Sequence, residues 1–217
     1  RSVQKLFSSN SSRYASSCSL LDQVYQYLIA MLQTAMDDTD KKCGSISLFS
    51  LTSEADLEAL TDKIVGTSLD HIFEVVSLFS SYISRLQASV GDAILEDLEP
   101  QSLRDKCAES LENFIALLES SVAQALTFGI SNCLQVFGKV MKARQIRTDF
   151  CPRDDDMDMG GLGKVTPACT IAVQCISAVH RLCVTQLGGP NIVPFMNGFG
   201  DNVFQALRIH FGSFTYN

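Results

Sequence analysis

The sequence predicts an all-α protein, an elongated antiparallel bundle of long helices. Three observations carry that prediction. Apolar residues recur at steps of three and four along most of the chain, the spacing that lines one face of an α-helix. One such seam, from Leu103 to Val140, continues for about 40 residues without interruption. Strand-type alternation occurs in one short, isolated stretch, SISLFSL at 45–51.

The first helix is expected to start at an N-cap among Ser16, Ser17 and Ser19, whose hydroxyls can accept from the free N–H groups of a first turn. Its stripe is Leu21, Val24, Tyr25, Leu28, Leu32 and Met36, and DDTDKKCGS at 37–45 is expected to stop it. A second helix should begin near Thr52 or Ser53. Glu54, Asp56 and Glu58 fall in its first turns, where the helix dipole favours acids. It carries Leu57, Leu60 and Ile64, reaches a kink or break at Gly66–Ser68, and resumes through Leu69, Ile72, Phe73, Val76, Phe79, Ile83 and Leu86. EPQS at 99–102 closes one element and opens the next.

The long seam follows: Leu103, Cys107, Leu111, Ile115, Leu118, Val122, Ala125, Gly129, Cys133, Val136 and Val140. As one helix it would extend roughly 65 Å, and such a rod needs antiparallel neighbours to cover its seam. Thr166 and Pro167 supply an N-cap and a first-turn proline for the next helix, which carries Ile171, Cys175, Val179, Leu182 and Leu187 and stops at Gly188-Gly189-Pro190. A last helix carries Phe195, Phe199, Val203, Leu207, Phe211 and Phe214, spaced as core residues. Two segments result: an N-terminal helical bundle segment over 1–98, and a long-helix bundle over 99–217 with an acidic, Gly-rich loop at 147–165.

Composition narrows the functional classes. The chain of 217 residues is 46% hydrophobic and 19% charged, the balance of a folded protein. A net charge of −7 and the lack of a Lys/Arg stripe argue against nucleic acid as a partner. No uninterrupted apolar run reaches the ~20 residues of a membrane span, and the best stretch, 171–184, is broken by Gln174, Ser177, His180 and Arg181. The chain begins at Arg1 with no visible secretory signal, and it reads as a piece of something longer.

Eight cysteines could form four disulfides, but Cys107, Cys133, Cys169, Cys175 and Cys183 lie inside helical patterns, where cysteine acts as a small buried hydrophobe. The expectation is reduced thiols in a cytosolic setting. No Cys-x-x-Cys pair occurs, and Cys169, Cys175 and Cys183 point in different directions around their helix, so no zinc site is expected despite the i, i+3 pair His180 and Cys183. The histidines His71, His180 and His210 are too scattered to suggest a base beside an activated nucleophile; His71 is expected to be solvated or paired with Asp70.

TDFCPRDDDMDMGGLGKVTPAC, residues 148–169, is the most chemically suggestive stretch. Counted as a calcium loop from Asp154, it puts Met159 where the tight turn needs glycine and Val165 where the bidentate glutamate belongs. As a phosphate loop it places Asp158 at the first glycine and Val165 after Lys164, where a magnesium-binding hydroxyl is required. Both readings fail. A solvated connector is the simplest account, with Asp154, Asp155, Asp156 and Asp158 as the candidate partner-docking residues. No catalytic, cofactor-binding or metal-binding residue is assigned.

QIRTDFCPRDDD at 145–156 resembles the inter-helix segment of the exocyst component five family, the Sec-ten-type subunits of the exocyst tethering complex. There a Thr-Asp-aromatic turn leads into an acidic loop, and the next helix opens on a Thr-x-Ala-Cys pattern, matched by Thr166, Ala168 and Cys169. LGGPNIVPFMNGFGDNVFQALRIHFGSFTYN (187–217) is similar to the family's later stretch at Asn191, Leu207, His210, Phe214, Tyr216 and Asn217. The resemblance covers about 110–217 and is thinner at FSSYISRL (79–86); MGGLGKV, Pro190 and Pro194 depart from the pattern.

That resemblance implies a non-enzymatic, rod-like helical subunit that tethers secretory vesicles to the plasma membrane before fusion. It implies contacts with sister exocyst subunits, the Sec-fifteen-type subunit among them, and with small GTPases of the Rab or Arf type. It also implies a cytoplasmic protein that joins membranes peripherally through the complex, in a family whose chain continues beyond Asn217. Seam residues alone also fit another helical-rod tether or adaptor, or a helical carrier holding an apolar ligand near Phe195, Phe199 and Phe204.

Overall fold

The structure is a computed structural model and describes residues 2–46, 57–93, 101–145, 165–187 and 189–213. Among these residues every regular element is an α-helix: α1 Ser2–Gly44, α2 Leu57–Ala93, α3 Gln101–Arg144, α4 Pro167–Gln186 and α5 Gly189–Gly212. The expected all-α bundle is therefore observed.

Several boundaries differ from expectation for identifiable reasons. Helix α1 starts at Ser2, so Ser16, Ser17 and Ser19 lie inside it. Serine is a cap where a helix begins, but its cost inside one is only a few tenths of a kcal/mol, which the surrounding chain overrides. Helix α1 also runs through the DDTDKK stretch to Gly44, with Lys41 and Lys42 in its last turn, where cations complement the exposed carbonyls. The start of α2 expected at Thr52 or Ser53 and most of SISLFSL fall outside the described residues.

No break occurs at Gly66–Ser68, because α2 is continuous there. The Ser68 hydroxyl donates to the Ile64 carbonyl at 2.8 Å, so the buried polar group is satisfied within the helix. Helix α3 is the single long rod that the seam required; its 44 residues span about 66 Å at 1.5 Å per residue. Helix α4 opens as expected: Thr166 is extended and its Oγ1 accepts from the Cys169 N–H at 3.3 Å, with Pro167 in the first turn.

The chain divides into two compact units, one comprising residues 1–34 and 75–125 and the other 35–74 and 126–217. In the first unit, α3 buries Leu111, Phe114, Leu118, Val122 and Ala125, a narrow stripe at steps of three and four. Val75, Val76, Phe79 and Ile83 of α2 and Leu32 of α1 are also buried in this unit. Tyr25 meets Phe114 edge to face, with ring centroids 6.2 Å apart.

In the second unit, residue pairings fix the direction of each helix. His71 lies beside Asp38 while Ser68 meets Cys43, so α1 and α2 run antiparallel. A Cβ at Gly129 would face Leu69 and Ile72, and Val136 and Val140 share a buried cluster with Leu60 and Ile64, so α3 opposes α2. Ile171 joins that cluster and Cys175 meets Cys133, so α4 opposes α3. Gly198 faces Ile130 and His210 senses Lys142, so α5 runs with α3. The five helices therefore alternate in direction. Here α3 buries a much wider arc, including Leu126, Ile130, Cys133, Val136, Phe137, Val140 and Met141, as a helix surrounded by neighbours must.

Candidate functional site

The side chains with chemical potential are the thiols and histidines, and the fold disposes of most of them. Cys43, Cys133, Cys175 and Cys183 are buried, Cys107 and Cys169 are half-buried, and all six are free thiols. Cys43 and Ser68 share a hydrogen bond at 3.4 Å. Burial pushes the Cys43 and Cys183 thiols up. The Cys133 thiol is pushed well up, first by its hydrogen bond with Cys175 and then by burial. Thiols held protonated in this way are packing groups, since the thiolate is the nucleophile and metal ligand. Among the described residues no three His, Cys, Asp or Glu side chains gather in a way that could hold a metal ion.

The histidines are separated. His71 Nδ1 lies 3.9 Å from Asp38 of α1, so its partner is across the helix pair and not the adjacent Asp70. Asp70 instead accepts from Gln186 Nε2 at 3.2 Å. His180 is exposed while Cys183 is buried, so the i, i+3 pair does not converge on a common ligand position. His210 is buried, and burial, followed by the nearby Lys142 charge, holds its imidazole below the usual histidine range.

One polar contact ties α4 to α2 at the rim of the second unit: Arg181 donates to Asp62 at 2.7 Å, with both side chains more than half exposed. Together with the Gln186–Asp70 contact it pins the register of α4 on α2. In water it contributes little energy.

The aromatic trio that an apolar carrier would need does not converge. Phe73 and Phe195 meet edge to face at 4.9 Å and Phe195 stacks with Phe199 at 6.2 Å, all three within the core. Phe204 is 65% exposed. Leu207 and Phe211, expected in the core, are only half-buried, because the core face of α5 follows Phe195, Phe199, Val203 and His210.

Two helices, α3 over Arg104–Arg144 and α4, contain windows apolar enough by length and composition to cross a membrane, which the interrupted runs in the sequence had concealed. In α3 the buried apolar positions fill the two cores, while Leu117 is half exposed and 39% of the apolar window is buried. In α4, Val173, Ile176 and Val184 stay on the side opposite the buried Ile171, Cys175, Ala178 and Val179. The candidate docking residues Asp154, Asp155, Asp156 and Asp158 lie outside the described residues.

Comparison with known proteins gives the chain its place. The family described as "Exocyst complex component Sec10-like, alpha-helical bundle" matches residues 8–217. A relative from Caenorhabditis elegans, "Exocyst complex component 5", is 23% identical over 149 residues, which cover 68% of this chain and 22% of the worm protein. The chain thus spans about a fifth of the length of the curated relative it matches. No solved structure matches it. A match across nearly all of an all-helical chain, with a core seam where a bundle requires one, has a single reading: the chain belongs to the Sec10-like family of exocyst complex components, within its α-helical bundle.

Proposed function

We propose that this chain is part of a non-enzymatic exocyst subunit that helps to tether secretory vesicles to the plasma membrane before fusion. The subunit works in the cytoplasm, peripherally at sites of exocytosis. It acts through contacts with sister exocyst subunits, the Sec-fifteen-type subunit among them, and under small GTPases of the Rab or Arf type. The observation that carries this reading is the family match over residues 8–217. The chemistry supports it. The described thiols are buried or half-buried, and apolar side chains are left exposed on long helices. Those features suit a protein that works by being held and by holding others.

Asp154, Asp155, Asp156 and Asp158 are the proposed docking residues for a basic surface on a sister subunit. Changing all four to Ser in the full-length protein should leave folding stability within about 1 kcal/mol, the effect expected of acids in a connector that the sequence reads as solvated. Recovery of sister subunits in a pull-down should fall. Undiminished recovery would reduce the segment to a connector. Calcium should not raise the melting temperature of the parent chain, whereas a true site at a hundredfold excess over its dissociation constant would add about 2.7 kcal/mol.

A further inference from the structure

Two of the buried thiols meet across a helix interface. Cys133 of α3 and Cys175 of α4 share a hydrogen bond and are 0% and 1% exposed. The register of the two helices brings them together independently of that bond. Val136 and Ile171 sit in one buried cluster. One turn from Val136 toward the start of α3 is Cys133, and one turn from Ile171 toward the end of α4 is Cys175. In antiparallel helices those two steps run the same way, so the two cysteines stay level. Their neighbours on α4 are small, since Ala168, Ala172 and Ala178 are buried on the same side as Cys175. Small side chains let two backbones approach, and a disulfide needs its Cα atoms about 5.5 Å apart. Other thiols are turned elsewhere. Cys43 is engaged with the Ser68 hydroxyl at 3.4 Å, while Cys169 and Cys183 stand roughly 120° and 80° around α4 from Cys175. Both sulfurs belong to the second unit, so the core of that unit sets their pairing, whatever covers its outer faces.

We infer that Cys133 and Cys175 form a redox-sensitive latch, in which oxidation by hydrogen peroxide joins them in a disulfide that clamps α4 to α3. In the closed fold the pair is quiet, because Cys133 is held protonated and the thiolate is the reactive form. The chemistry starts when α4 opens locally from α3 and admits water and oxidant. One sulfur, as thiolate, attacks the peroxide; the O–O bond breaks, hydroxide leaves, and a sulfenic acid forms. As the helices close, the second sulfur attacks the first, the S–O bond breaks, and the oxygen departs as water. In sum, two thiols give up two electrons and two protons to one peroxide, which becomes two waters. A dithiol reductant reverses the bond by exchange. The latch stands independently of the proposed tethering role.

Peroxide treatment of the native, fully reduced full-length protein tests it. Remaining thiols are capped by alkylation, and the protein is digested without reductant and analysed by mass spectrometry. A peptide pair joined through Cys133 and Cys175 should be the main cross-link within this segment, two hydrogens lighter than the reduced peptides together. Dithiothreitol should remove it, and the oxidised protein should keep its helical circular dichroism. Urea below the unfolding midpoint should speed its formation severalfold, because local opening limits the rate. The parent protein carries the whole test, so no variant has to fold. A main cross-link through Cys43 or another cysteine, oxidation of either sulfur to sulfinic acid without a cross-link, or both thiols still free after treatment would each overturn the proposal.

Discussion

At His210 a buried imidazole couples folding to pH. Its pKa in the fold is held below the ordinary value of 6.5 by burial and by the charge of Lys142, so the unfolded chain takes up a proton at a pH where the folded one still resists it. The stability associated with the neutral ring is full above that ordinary value and is lost as pH falls toward the folded pKa. Urea denaturation at pH 7 and pH 5 should show the parent chain losing more stability on acidification than His210→Gln. Equal losses would mean that the ring is solvated. Glycines make a second residue-scale prediction. A Cβ at Gly129 would lie 2.9 Å from Cδ2 of Leu69, a fully buried side chain with little freedom to move. Gly129→Ala should therefore cost about 1–3 kcal/mol. At Gly138 an added Cβ meets nothing within 4 Å, so Gly138→Ala should gain about 0.5–1 kcal/mol from helix propensity. Thermal melts of the two variants that shift in the same direction would contradict the close α2–α3 approach.

At the scale of the element, α3 carries the core of both units. Leu118 lies mid-helix and fully buried, so Leu118→Asp would sink a carboxylate without a partner. A loss of about 3–5 kcal/mol is expected, read as a large fall in the urea midpoint. An unchanged midpoint would show that the seam does not form core. The long helix was legible because its apolar period persists over so many turns that few alternatives satisfy it. Helix α4 was legible from Thr166 and Pro167, since capping is a local property. The ends of α1 and the continuity of α2 were not. A serine cluster and a Gly-Thr-Ser run look like boundaries, and tertiary packing around Ser68 decides otherwise. The core side of α5 was partly misread for a related reason. Periodicity reports that residues share a side of the helix, but it does not say how far the core reaches around it, so the half-burial of Leu207 and Phe211 is set by their neighbours. Asp38 as the partner of His71 is a contact between helices that no local pattern encodes.

At the scale of the whole molecule, the chain belongs to the α-helical bundle of the Sec10-like family. The thiols test its setting. Protein denatured without reductant should titrate close to eight free thiols, the full cysteine count, and carry no stoichiometric zinc. In the native state, reagent should react slowly with Cys133, whose burial and hydrogen bond with Cys175 hold it protonated. Four or fewer thiols would point to a disulfide-bonded protein. The family was legible in the amino-acid order itself, through the resemblance at turn residues such as Thr148, Asp149 and Pro152 and at positions from Asn191 to Asn217. The proposed docking surface was not legible in the same way, since exposed faces obey no period of their own.

The most direct measurement is affinity purification of the full-length protein containing this segment, with every co-purifying chain identified and quantified. Stoichiometric recovery of the other exocyst subunits is predicted, lost or sharply reduced when Leu118→Asp unfolds the seam. Recovery of the protein alone, or within an assembly that lacks exocyst subunits, would contradict the tethering role.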